Sequence, residues 1–132
     1  MKRTITAMLL ACCGLQACGL AGTEGRQTIA GGLQSEMRDI RLQMVREIGD
    51  ASARRPEQCH VVPLGVRACG GPRDYLIYSS AISDERKLEE LARQYAEAEE
   101  KYNRVTGAAS TCTHVMPPQV RLDKGKCTGG ER

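Results

Sequence analysis

The chain has 132 residues, with 19 Lys and Arg against 16 Asp and Glu for a formal charge of +3, and seven cysteines. The first seventeen residues carry Lys2 and Arg3 and no acid; the remaining 115 residues have a net charge of +1, which gives no electrostatic basis for binding nucleic acid or an acidic substrate. Phe and Trp are absent, the four tyrosines are too few for a base-stacking platform, and an apolar content of 41% excludes a fully disordered chain.

Met1 to Cys18 places a basic start at Lys2 and Arg3 before an apolar stretch from Ile5 to Leu15 and a short small-residue exit. That is the layout of a secretory signal, and it is shorter than the ~20 apolar residues a membrane span needs. Leu15-Gln16-Ala17-Cys18 resembles the bacterial lipobox, with Gln16 departing from the usual small or apolar residue. The resemblance implies a lipoprotein signal peptide over residues 1–17, removed before an acylated Cys18. Each acyl CH₂ buried in a bilayer contributes about 0.8 kcal/mol, so several chains on one cysteine hold firmly. Gly19 follows where an Asp would favour retention at the inner membrane, so the expected address is the periplasmic face of the outer membrane. Residues 18–32 contain Gly19, Gly22, Gly25, Gly31 and Gly32 and read as a flexible tether.

Leu33, Met37, Ile40, Met44 and Ile48 recur every three or four residues and predict an amphipathic helix from residue 33, ending near residue 52. Cys59 to Cys69 brackets His60-Val61-Val62-Pro63-Leu64-Gly65-Val66-Arg67. An echo of it, His114-Val115-Met116-Pro117-Pro118-Gln119-Val120-Arg121, agrees at five of eight positions and lies between Cys112 and Cys127. Both runs read as extended, proline-interrupted segments lying side by side, whether or not they descend from a duplication. Asp74 to Ser80 predicts a strand of about five residues, apolar on both faces and packed against a helix. Ser83 as a cap, Asp84 and Glu85 in the first turn, and Leu88, Leu91, Tyr95, Ala98, Tyr102 and Val105 at spacings of three and four predict a second helix closed by Gly107. The expected partner of that seam is the first helix. Glu89, Glu90, Glu97, Glu99 and Glu100 alternate with basic residues and read as a solvated, ion-paired face.

The expected fold is α+β and mainly α: an antiparallel two-helix hairpin with a short strand and two extended Cys-bracketed segments. One small domain spans 33–127, with 128–132 as a tail. In an exported chain the four cysteines Cys59, Cys69, Cys112 and Cys127 read as two disulfides. A strand leading away from Cys69 and a helix of about 22 residues, roughly 33 Å, leading back to Cys112 favour pairing Cys69 with Cys112 and Cys59 with Cys127. Local pairings remain the alternative. The rival use of Cys59, His60, Cys112 and His114 as metal ligands lacks a C-x-x-C spacing, so no metal or other cofactor is expected and the two histidines read as packed or hydrogen-bonded surface residues.

No nucleophile elbow, phosphate-binding loop, dinucleotide fingerprint or H-E-x-x-H run occurs, so the chain reads as a non-enzyme without catalytic residues. Cys59, Gly65, Cys69-Gly70-Gly71-Pro72, Tyr75-Leu76, Tyr78-Ser79, Tyr102-Asn103, Gly107, Ser110 and Cys112 resemble a family of small proteobacterial lipoproteins without an assigned activity. The resemblance covers about residues 57–127; it implies an envelope location and a disulfide scaffold, and brings no catalytic residue. Gly70 and Gly71 could offer backbone N–H groups to a partner or anion, or serve only to turn the chain. The expected function is a lipid-anchored periplasmic binding protein, with the membrane and an envelope protein as partners and no nucleic acid. Its concrete form is an inhibitor or immunity protein; the alternatives are an assembly accessory of an outer-membrane complex and, third, a metal-binding envelope protein.

Overall fold

A computed structural model describes residues 20–130. The expected signal segment 1–17 and the expected acylation site Cys18 lie outside the described residues. Helix α1 spans Leu20–Ile48, a 3₁₀ turn Pro56–Gln58, strand β1 Cys59–Leu64, strand β2 Asp74–Ser79, helix α2 Glu85–Thr106, strand β3 Gln119–Asp123 and strand β4 Lys126–Gly130.

The two helices are antiparallel and in contact. Gln34 on α1 donates to the Tyr102 hydroxyl near the C-terminus of α2 at 2.8 Å, while Glu47 on α1 meets Asp84 and Lys87 at its N-terminus. Met37, Ile40 and Met44 from α1 pack with Leu88, Leu91, Ala92, Tyr95 and Ala98 from α2, over Val62, Leu64 and Tyr78 from the first sheet. The α2 seam therefore finds its partner within the chain.

Helix α1 begins at Leu20 and not at residue 33, so most of the segment expected to be a tether is helical. Each glycine costs about 1 kcal/mol relative to Ala, but adding residues to an existing helix is far easier than nucleating one, and no proline intervenes between residues 20 and 48. Gly22, Gly25, Gly31 and Gly32 face open space, so no close contact selects them. Gly49, at φ +57°, ends the helix. In α2 the cap is Asp84 and not Ser83: its side chain accepts the Lys87 N–H, and Gly107 closes the other end at φ +68°.

Strands β1 and β2 pair antiparallel from Cys59 opposite Ser79 to Leu64 opposite Asp74. Strands β3 and β4 form a second antiparallel pair. The two echoing segments thus do not lie side by side as one ladder, and only Gln119–Arg121 of the second is strand. Pro117 and Pro118 are two successive residues with no N–H to give and β3 begins only after them, whereas the single Pro63 is accommodated in β1 opposite Tyr75. Thr128–Gly130, expected in the tail, belong to β4. The hairpin turns through Lys124 and Gly125, both at positive φ (49° and 78°), which matches the twist of a two-residue connection.

Strand β2 is apolar on both faces, as its composition predicts. One face joins the helices through Leu76 and Tyr78, while Ile77 on the other packs, as Val120 and Leu122 do, against the cluster of Ala51, Ala53, Cys59 and Cys127. The second cluster is tied to the chain after α1 by the hydrogen bonds Cys127 N–H to Ala51 O and Ala53 N–H to Gly125 O, both 2.9 Å. Disulfides join Cys59 to Cys127 and Cys69 to Cys112, with Cα separations of 5.2 and 5.6 Å. This is the pairing that the helix-length reasoning favours.

Candidate functional site

The connection between β1 and β2 meets the C-terminal half of α2 at one end of the molecule. Gly65, at φ +71°, turns the chain out of β1 against Tyr95 and Glu99, where a Cβ would run into the Glu99 carboxylate. That approach lets the Val66 N–H donate to Glu99 Oε2 at 2.8 Å. The other carboxylate oxygen takes Arg73 Nη1 at 2.7 Å. Arg73 also donates through Nη2 to the Tyr95 hydroxyl at 2.6 Å, with its guanidinium carbon 5.9 Å from the Tyr95 ring centroid. Asn103, one turn beyond Glu99, donates to the Val66 carbonyl at 3.1 Å.

Glu99 corrects the expectation of a solvated acidic face, since it is only 4% exposed. A buried carboxylate must be paired and hydrogen-bonded, and both oxygens of Glu99 are. A signal was available: Glu99 stands four residues after Tyr95 and seven after Ala92, on the apolar stripe. Tyr78, on the far side of the core, shows the same coupling of burial to a partner. Burial first, then its hydrogen bond to Glu85 and that residue's charge, push its phenol up to about 12.

Beyond Gly107 the chain crosses the same end without regular structure. Arg67 Nη1 donates to the carbonyls of Thr111 and Thr113 at 3.3 and 2.8 Å, on either side of Cys112. Between this segment, the β1–β2 connection and α2 lies a cleft of about 340 Å³, lined by Val66, Arg67, Arg73, Glu99, Asn103 and residues 108–111 among others. The Cys69–Cys112 bridge joins the two segments that border it.

In the Cys-Gly-Gly-Pro turn, Gly70 and Gly71 sit at φ +90° and +74° with open space where a Cβ would project. They are there for backbone conformation. The Gly70 N–H donates to the Arg67 carbonyl and the Arg67 N–H to the Gly71 carbonyl, so these groups serve the turn itself. The His60 and Tyr78 rings pack with centroids 5.5 Å apart and planes tilted by 33°, and His114 is exposed. Among the described residues no three His, Cys, Asp or Glu side chains gather as a group able to hold a metal, and no helix is long and apolar enough to cross a membrane. Two disulfides fit an oxidising, extracytoplasmic location. Comparisons of the chain with family models, with curated proteins and with solved structures find no match to it.

Proposed function

We propose that the chain is a lipid-anchored periplasmic protein of the bacterial outer membrane that binds another envelope component and catalyses no reaction. The observation that carries this reading is the internal commitment of the cleft. The Glu99 oxygens are taken by Arg73 and the Val66 amide, and Arg73 by Glu99 and Tyr95, so the charged groups of the cleft act as a brace. A braced, doubly bridged surface suits recognition of a preformed partner, because little conformational freedom is lost on binding. The signal-like start and Cys18 support export and acylation. The most concrete form is an inhibitor or immunity protein held at the membrane against an incoming wall-degrading or toxic enzyme.

A second reading, an assembly accessory of an outer-membrane complex, cannot use the α2 seam, which α1 covers; it would use the exposed Leu42, Val45 and Ile82. Crosslinking in intact cells followed by pull-down of the full chain separates the two. A single soluble enzyme supports the inhibitor role, integral outer-membrane proteins support the accessory, and no specific partner overturns both. Cys18→Ser is expected to move the protein from membranes to the soluble periplasmic fraction; retention on membranes would overturn the anchor.

A further inference from the structure

The two disulfides sit in opposite surroundings. Cys59 and Cys127 are 6% and 7% exposed, within the cluster of Ala51, Ala53, Val120 and Leu122. Cys69 and Cys112 are exposed, and so are their neighbours Ala68, Gly70, Thr111 and Thr113. Thiol–disulfide exchange requires an attacking thiolate to reach a sulfur, so access separates the two bonds. What the outer bond holds is also distinct: it pins the irregular segment 107–118 to the β1–β2 connection across the cleft, helped by the exposed hydrogen bonds from Arg67.

We propose that Cys69–Cys112 is a redox clasp, opened by a dithiol reductant while Cys59–Cys127 stays closed, and that opening it frees segment 107–118, which forms one wall of the cleft. One thiolate of the reductant attacks Sγ of Cys69 or Cys112, forms a mixed disulfide and expels the other sulfur as a thiolate, which takes a proton from water. The second thiol of the reductant loses its proton and displaces the remaining protein sulfur, which is protonated in turn. Two electrons pass to the protein, which now carries two thiols, and the reductant departs as a disulfide. Arg67, hydrogen-bonded on both sides of Cys112, places positive charge beside the backbone that carries one of these sulfurs, which favours the developing thiolate. The apolar packing that holds the helix pair, and the cluster around the inner bridge, include neither Cys69 nor Cys112, so they persist. Selective opening stands whether or not the cleft binds an envelope partner.

The test uses the purified, oxidised full chain, treated with dithiothreitol at about pH 8 without denaturant, where free thiols titrate. Exposed thiols are trapped with N-ethylmaleimide and mapped by peptide mass spectrometry, with hydrogen exchange followed in parallel. Cys69 and Cys112 are expected to label at least about tenfold faster than Cys59 and Cys127. Exchange should rise over 108–118 and stay slow around Met44 and Leu88. Equal rates, earlier opening of Cys59–Cys127, or unchanged exchange over 108–118 would overturn the proposal. The double variant Cys69→Ser with Cys112→Ser is expected to keep its helical circular dichroism and its inner bridge, with fast exchange over 108–118 in the absence of reductant. A double variant that fails to fold would also count against it, because the clasp would then not be separable from the fold.

Discussion

Gly65 and Glu99 show how one missing methyl group shapes the cleft. The glycine's positive φ and its lack of a Cβ bring the backbone down onto a buried carboxylate, and the carboxylate in turn satisfies the Val66 amide and fixes Arg73. Gly65→Ala is expected to lower stability by at least about 3 kcal/mol, since a left-handed alanine is strained and the displaced carboxylate loses its partners. Urea denaturation checks this, and a loss below about 1 kcal/mol would mean that the loop relaxes away without cost. Little of this arrangement is legible in the sequence. The extended run is legible but its end at Gly65 is not, since the reading carries it on to Arg67, and Glu99 hides among five acids and their basic neighbours, where its spacing from Tyr95 is outweighed by that surrounding charge. The partner Arg73 follows Pro72 in a turn, where no periodicity marks a side chain as inward.

At the scale of elements, α2 is readable because its cap region, first-turn acids, seam and closing glycine all agree. The β3–β4 hairpin is not, because its strands have five residues each, β4 is rich in glycine, and Lys-Gly lacks the Asn-Gly or Asp-Gly signature of a tight turn. The extra length of α1 is hidden for a related reason: local glycine content speaks for coil, while continuation from a packed helix depends on what lies downstream. The end where α1 meets α2 is held by charge. Glu47 accepts the Asp84 N–H at 2.9 Å and Lys87 Nζ at 2.6 Å, adding a carboxylate from α1 to the N-terminus of α2. The Lys87 ammonium, then the Asp84 amide, hold the Glu47 carboxyl below its ordinary value of 4.5. A carboxyl depressed in the folded state stabilises fully above the unfolded value and loses that contribution as pH falls through the folded one. The stability difference between the wild type and Glu47→Gln should therefore be present at about pH 6 and shrink as pH drops below about 4.5. Urea midpoints measured across that range check it; a difference independent of pH would show that the contact does not depend on the carboxylate charge.

Over the whole molecule, a core without Phe or Trp relies on two bridges. Chain entropy assigns each of them roughly 4 kcal/mol and scarcely distinguishes loops closed over sequence separations of 68 and 43 residues. Surroundings do distinguish them. Replacing both Cys59 and Cys127 by Ala removes a constraint and also leaves a gap in the second apolar cluster, so it is expected to cost about 4 kcal/mol or more. Replacing Cys69 and Cys112 by Ser at the surface should cost less, and thermal unfolding of the two double variants ranks them. In the sequence the length of α2 favours this pairing over the local ones without excluding them, because it sets only roughly where the chain returns.

That pairing has a topological consequence: the bond between Cys69 and Cys112 is nested inside the span closed by Cys59 and Cys127. A single peptide-bond cut anywhere between Cys59 and Cys127 leaves its two fragments covalently joined, through both bridges when it falls between Cys69 and Cys112. A protease that nicks the exposed turn at Ser80 and Ala81 would therefore produce a two-chain protein whose helices remain at high effective concentration, able to re-dock where an unbridged chain would drift apart.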